Sequence, residues 1–482
     1  RVRYQSSGTG PGSSALWQID DFAVGEASGG GGGDPEPDEV TLISAIQGAG
    51  GTEADDRVGT DDRSPLEGSA VKLQAIVTAD FQFGAAGELG ELDGFYVQEE
   101  VSDYDFNDLT SEGIFIYEGF NTLITDVTAG DLVTVVGTVE EFSGQTQIRA
   151  TSITVDSSGN GLPEAQDIAF PTASVQVAGN GDYVANLEAY EGMLVNVPQD
   201  LVVTELFELD SFGNYRASTE RFQTFTQFST PDAEGFDAHL REVGASTLTF
   251  DDGLTGSGPE QIRVIDGNNG VLQADDTFSM GDTITNATGV LGYGFNGYRI
   301  QNGTGDYADA NPREEAPAEL DGNFRLASLN VLNFFTTLQG QTMDNGQNPR
   351  GADNAEEFDR QLEKLVLGIL GTDADILGLS EIENDFEGET FALKSLVEAL
   401  NAKAGAGTYA FVDPGAASIG GDAIATAIIY RADKVKAVGD AAVLTEFDGE
   451  SFLDPNGSGS DRNRPAVAQT FEDIETNQKL TV

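Results

Sequence analysis

From residue 40 to about 310 the apolar positions fall in short runs broken by Gly, Asp and Asn, and only near 231 to 243 does a helical stripe emerge. The pattern predicts strands, and a degenerate repeat organises them. "EGSAVKLQAIV" (67 to 77) echoes "EGMLVNVPQDLVV" (191 to 203), and "GDLVTVVGTVEEFSGQTQI" (130 to 148) echoes "GDTITNATGVLGYGFNGYRI" (281 to 300). Each copy sets an early strand after Glu-Gly against a late strand opening Gly-Asp, followed by a glycine and a hairpin containing Phe-x-Gly or its near equivalent. That order predicts tandem OB-like five-stranded barrels, at 40–160 and 161–310, in which glycine lets strands turn a tight corner. The hairpin residues Phe142, Phe295 and Tyr298, with Gln145 and Arg299 beside them, are candidates for a face on which single-stranded nucleic acid stacks. The competing role for these aromatics is to pack the barrels and their turns.

From about 320 the texture becomes alternating β and α. "FRLASLNV" reads as a strand. Residues 353 to 371 place Phe358, Leu362, Leu365 and Ile369 on one stripe, capped by Asp353 or Asn354 and stopped at Gly371. "DADILGLSEIEND" is a buried strand running into acids, and a second amphipathic helix at 388 to 403 and three further strand-like stretches follow. This is an α/β region, 320–482. Upstream, five consecutive glycines and a Pro/acid stretch make 28–39 a flexible linker. Before it, "ALWQIDDFAV" reads as a strand with Trp17, Ile19 and Phe22, and it resembles the closing strand of jelly-roll domains of secreted bacterial proteins, assigning 1–27 to the end of such a domain.

Charge changes the picture of the surroundings. With 24 basic against 82 acidic residues the net charge is −58, yet 39% of residues are apolar and periodic, so the chain reads as a folded protein with an acidic surface rather than as a disordered one. Salt screens the self-repulsion of such a surface within ~8 Å, which points to a saline or marine setting, and the lack of cysteine is compatible with a secreted or cell-surface location. The absence of cysteine excludes disulfides, thiolate metal sites and a cysteine nucleophile. No apolar run reaches the ~18 residues that a membrane-spanning helix needs.

Asn330 ends one strand and Glu381 ends the next, with a helix between, so both are placed on one rim of a sheet. A carboxylate with a neighbouring carboxamide, all oxygen, is the ligand chemistry of Mg²⁺; the ordinary alternative is a pair of turn formers.

Five ordered segments bear on that choice: "ASLNVLNFFTT", "RGADNAEEFDRQ", "ILGLSEIEND", "LNAKAGAGTYAFVDPG" and "NRPAVAQTF". Together they resemble the N-terminal half of the endonuclease/exonuclease/phosphatase superfamily, and specifically its bacterial extracellular nucleases of the ExeM/NucH type, in which an OB-like region precedes the nuclease domain. The resemblance implies a multidomain chain ending in half of an α/β four-layer sandwich, and a DNA-cleaving hydrolase using Mg²⁺ or Mn²⁺, with Ca²⁺ as an alternative ion. It implies that Glu381 is the principal metal ligand, that Asn330 helps hold metal and phosphate, and that Arg464 contacts phosphate. Glu383, Asn384 and Asp385 are read as supporting residues. Ser380 stands where the superfamily often has Gln.

The resemblance also implies catalytic His and Asp residues that these 482 positions do not supply, because the single histidine, His239, lies in the β-rich region and is read as a surface or capping residue. The chain is therefore expected to be an interior piece of a longer enzyme, inactive by itself, whose α/β half lacks a second sheet. A superfamily phosphatase or sphingomyelinase, or a non-catalytic surface adhesin, are the alternatives.

Overall fold

The protein is described here by a computed structural model for residues 39–50, 57–58, 62–84, 92–254, 262–265, 271–272, 278–312, 314, 316–343, 345–447, 450–451, 453 and 463–482. The jelly-roll-like strand at 1–27 and almost all of the linker lie outside these residues. The chain is β-rich, with several sheets and few helices, and it divides into two units at Pro312.

In the first unit a short helix α1 (Ile43–Gln47) precedes β1 (Ala70–Phe81), β2 (Gly94–Gln98), β3 (Gly113–Tyr117), β4 (Leu132–Phe142) and β5 (Gln145–Ser157), which close a barrel in the order β1-β2-β3-β5-β4. The one parallel pairing in it is β3 with β5. Alternation drives the closure: Val133, Val135 and Val139 of β4 point inward with Leu73, Phe95 and Ile148, while Thr134 and Thr138 are half-exposed. At Gly137 the β4–β5 register shifts, and a Cβ there would sit 2.4 Å from the Arg149 carbonyl oxygen, so the corner requires glycine.

The unit continues through β6 (Gln166–Asp167), β7 (Val175–Val177), β8 (Tyr183–Ala185), β9 (Leu194–Val197), β10 (Leu201–Glu205), α2 (Leu209–Phe212), β11 (Tyr215–Ser218), α3 (Ala233–Ser246), β12 (Thr247–Asp251), β13 (Thr283–Gly294) and β14 (Gly297–Ala308). Here β10, β11, β12, β14 and β13 form a second ring, closed by Leu201 opposite Ile284, and its one parallel pair, β12 with β14, occupies the same position as before. The long β1 of the first ring corresponds to two short strands in the second. Both β9 and β10 pair with β13, and Pro198, which has no N–H to give a ladder, lies between them. Helix α3 covers the segment where the stripe predicts one, with Asp232 capping it through Gly235 N at 2.6 Å.

The rings are fastened to each other by buried polar contacts. Leu194 N donates to Gln98 Oε1 at 2.8 Å, Ser111 Oγ to the Glu191 carbonyl at 2.6 Å, and Tyr293 N to Gln145 Oε1 at 2.9 Å. Gly113 and Gly192 touch backbone to backbone: a Cβ on Gly113 would lie 2.3 Å from the Gly192 carbonyl carbon.

The second unit runs β15 (Leu326–Phe334), α4 (Ala355–Thr372), β16 (Ile376–Glu383), α5 (Ala392–Ala404), β17 (Tyr409–Phe411), β18 (Ile424–Arg431), β19 (Val435–Leu444), a ribbon of β20 (Glu446–Phe447) and β21 (Glu450–Ser451), β22 (Ala466–Asp473) and β23 (Lys479–Thr481). Of the two candidate caps it is Asn354 that accepts from Glu356 N and Glu357 N, and α4 passes Gly371 to end at Asp373 in the left-handed region, φ 47°. One sheet has the order β15-β16-β18-β17, with β15 and β16 parallel, and its inner face packs Leu377, Leu379 and Ile429 against Val366, Ile369, Leu396 and Leu400 of the helices. The expectation of a missing second sheet needs correction: β19, β22 and β23 form one, and Phe471 and Val435 pack against Ile376 and Ile428 of the first sheet's other face. Alternating apolar residues in "RPAVAQTF" favour that pairing once β19 is available.

Candidate active site at the strand ends of the second unit

The end of β15 is irregular because its sequence leaves the alternation. Leu332 and Asn333 adopt left-handed backbone (φ 52° and 49°), and the β15–β16 register shifts between Asn330 and Phe334. On β16 Glu381 does the same, with φ 64° at a register shift between Ser380 and Ile382 against β18. A bulge of this kind re-aims the side chain that carries it, and a left-handed glutamate costs about 1 kcal/mol or more, a cost typical of functional positions.

Register then brings the predicted residues to one row. Asn330 lies opposite Ser380, Ser380 opposite Thr426, and Thr426 Oγ1 donates to the Pro465 carbonyl at 2.8 Å, next to Arg464. Asn330 is exposed, and its Oδ1 accepts from Leu332 N at 2.8 Å. Glu381 is half-buried, and among the described residues no donor or cation meets its carboxylate.

Behind this row the acids and amide after Glu381 hold loops in place. Glu383 is fully buried; its Oε2 accepts from Thr336 N and Oγ1, both at 2.8 Å, whereas its Oε1 is buried with no partner among the described residues. Asn384, also buried, donates from Nδ2 to the Ile419 and Asp422 carbonyls and accepts at Oδ1 from Ile419 N, each at 2.8 Å. Asn345 Nδ2 donates to the Asn384 carbonyl at 3.3 Å, and Gln347 Nε2 to that of Gly421 at 2.9 Å. The β15–α4 and β17–β18 loops are thus both pinned at one strand end.

Arg464 emerges from them in company that sequence reading missed. Its Nε and Nη2 donate to Asp422 Oδ2 at 3.1 and 2.9 Å, while Arg350 Nη2 donates to Asp422 Oδ1 at 2.8 Å. The cluster lines a cleft of about 380 Å³ with Ile419, Asn463 and Pro465. Partial burial pushes the Asp422 carboxyl up, but the Ala423 N–H and the two guanidiniums outweigh it and hold it below the ordinary aspartate value. Arg350 opens the segment "RGADNAEEFDRQ", so its place in an ordered motif was the available signal; Asp422, in a Gly-Gly-Asp turn, offered none.

The hairpin residues of the first unit divide. Phe142 and Phe295 are 65% and 80% exposed. Gln145, Tyr298 and Arg299 are buried, so they do not present a stacking face: Gln145 joins the rings, Arg299 pairs with Asp251, and the Tyr298 hydroxyl lies 2.9 Å from Gln176 Oε1 and 2.7 Å from Glu188 Oε2. Burial, and then the nearby Asp62 charge, push the Glu188 carboxyl well up. His239 packs among the rings of Phe222, Phe225 and Phe228 at 5.5 to 6.2 Å.

A sequence family described only as a domain of unknown function, DUF8508, matches residues 180–311, within the second ring and the strands beside it. No curated protein matches the chain. Among solved structures, the human Nocturnin catalytic domain with bound sulfate anion is similar at 20% identity, covering 33% of this chain and 48% of that one with a TM-score of 0.19. A likeness of that size carries no weight for fold or function.

Proposed function

We propose that the second unit is part of a metal-dependent phosphodiesterase acting on nucleic acid. The observation that carries the reading is the row Asn330, Ser380, Thr426 and Pro465, with Glu381 set beside it on a left-handed bulge and no internal partner for its carboxylate among the described residues. The donor set suits Mg²⁺ or Mn²⁺: it is all oxygen, one carboxylate and one carboxamide, and such an ion keeps most of its waters when so few protein oxygens meet it. Glu381 would hold it, with Asn330 beside it, and when bound the ion supplies positive charge to the scissile phosphate and the departing oxygen. Arg464 neutralises the phosphate, and Asp422 fixes the plane of its guanidinium. In the first unit we read both rings as OB-like modules, with Phe142 and Phe295 as the stacking residues. An extracellular, saline setting fits the net charge of −58, since a polyanion meets DNA only where cations screen it.

The test is Mn²⁺ binding followed by electron paramagnetic resonance, together with nucleolytic assays in Mg²⁺. Glu381→Gln should abolish Mn²⁺ binding without lowering the melting temperature, and any DNA cleavage should vanish in chelator. Mn²⁺ bound equally by wild type and Glu381→Gln would refute the assignment. Turnover of sphingomyelin or inositol phosphates without any nucleic acid would move the chain to the alternative classes.

A further inference from the structure

We infer that the cleft at Arg350, Asp422 and Arg464 is a two-arginine clamp across neighbouring phosphates, Arg464 meeting the scissile one and Arg350 the next, so that the substrate is a strand carrying consecutive phosphates rather than a single phosphodiester. This rests on the reading of Glu381 given above. Arg350 and Arg464 keep half and 38% of their side-chain surface in solvent, and each gives only part of its donor set to the shared Asp422. Among the described residues neither guanidinium meets another acceptor, so two positive charges against one negative leave the cleft with net positive charge and spare N–H groups. In a chain with 24 basic and 82 acidic residues, two arginines converging on one carboxylate form a local site where a polyanion is attracted rather than repelled.

Position separates the cleft from the metal row. Asp422 and Ala423 lie in the bend before β18, whose first residue is Ile424, and Ala423 O accepts from Asn384 N just past the end of β16, so Asp422 sits beyond the strand end and off the row of Asn330, Ser380 and Thr426. Arg464, anchored beside Thr426 through Pro465 and reaching to Asp422, spans the interval. Arg350 lies beyond it and has no route to the scissile group except through Arg464. A lipid phosphodiester or a sugar monophosphate would leave Arg350 unused; a nucleic-acid strand would engage both arginines.

The experiment is fluorescence anisotropy of a short labelled single-stranded DNA with the whole chain, in chelator, across a salt series. Arg350→Ala should weaken binding about tenfold, equally for different sequences, and reduce the slope of log affinity against log salt by about 0.7. Arg350→Lys should restore the slope. Asp422→Asn removes the one negative charge and should tighten binding, a gain that misfolding does not produce. Unchanged affinity and slope in Arg350→Ala overturns the clamp and leaves the metal reading standing if Glu381→Gln still loses Mn²⁺. Mn²⁺ held equally by Glu381→Gln overturns the reading beneath it. Binding to sphingomyelin vesicles that falls in Arg350→Ala while DNA affinity stays fixed would assign the cleft to a lipid headgroup and overturn the proposal.

Discussion

Replacing Asn384 by Leu keeps the branched side-chain skeleton, adds the bulk of two methyl groups, and removes all three of its side-chain hydrogen bonds, those to the Ile419 carbonyl, the Asp422 carbonyl and Ile419 N. The site is buried, so the Ile419 N–H and both carbonyls would be left without partners. At about 1–3 kcal/mol for each orphaned group, reduced because the 413–422 loop can rise and admit water, the local cost is about 3–4 kcal/mol. Its effect is confined to the loop that carries Asp422, whose fixation decides whether Arg350 and Arg464 stay together. Hydrogen exchange read by mass spectrometry measures this directly: a peptide spanning 413–424 should exchange roughly 10²–10³-fold faster, while peptides from β1 stay unchanged. Asn384→Asp, which keeps the acceptor for Ile419 N but loses both donors, should fall between the two. If 413–424 exchanges in Asn384→Leu at the wild-type rate, the amide is not what holds the loop, and the account of how the arginine cleft is built fails with it.

Two further outcomes concern the first unit. Burial, followed by contact with the Glu112 carboxyl, pushes Glu99 up to about 8, and Glu112 is also raised by burial. A carboxyl whose folded value lies above its unfolded one stabilises the fold fully below the unfolded value and loses that contribution as pH rises through the folded one. The melting temperature should therefore decline between about pH 5 and 9, and Glu99→Gln, which needs no proton, should flatten that decline by about 1–3 kcal/mol after solvent screening is allowed for; identical slopes in variant and wild type would contradict it. Gly113→Ala drives a methyl group into the Gly192 backbone and should cost about 1–3 kcal/mol in thermal unfolding, whereas Gly161→Ala, where a Cβ meets open space, should cost little.

What the sequence made legible followed from periodicity. The alternation of "LVTVV", the Phe358-Leu362-Leu365-Ile369 stripe and the apolar run before Glu381 each became the element they predict. Asn330 and Glu381 were placed on adjacent strand ends because a β-α-β order with a single helix between leaves little choice. The left-handed backbone at Glu381 was not legible, since nothing in "LSEIE" distinguishes a bulge from a regular strand, and bulges depend on the partner strand. For Tyr298, Gln145 and Arg299 the hairpin pattern leaves two roles open, a stacking face or packing of the barrels and their turns, and the structure gives them the buried one. Their burial comes from the other ring and from Gln176 and Glu188, contacts between residues far apart in sequence that no local pattern encodes. Arg350 and Asp422 meet across 72 residues for the same reason.

The backbone contact of Gly113 with Gly192, and the amides exchanged around it, mean that the two copies of the repeat have given up their independence. A duplicated module normally leaves each copy able to be lost, swapped or recombined, because each keeps its own surface. Here Gln98 and Ser111 of one copy complete hydrogen bonds begun in the other. The pair must be inherited, and cloned, as a single piece: cutting at the repeat boundary near residue 160 would leave both halves with polar groups that only the missing half can satisfy.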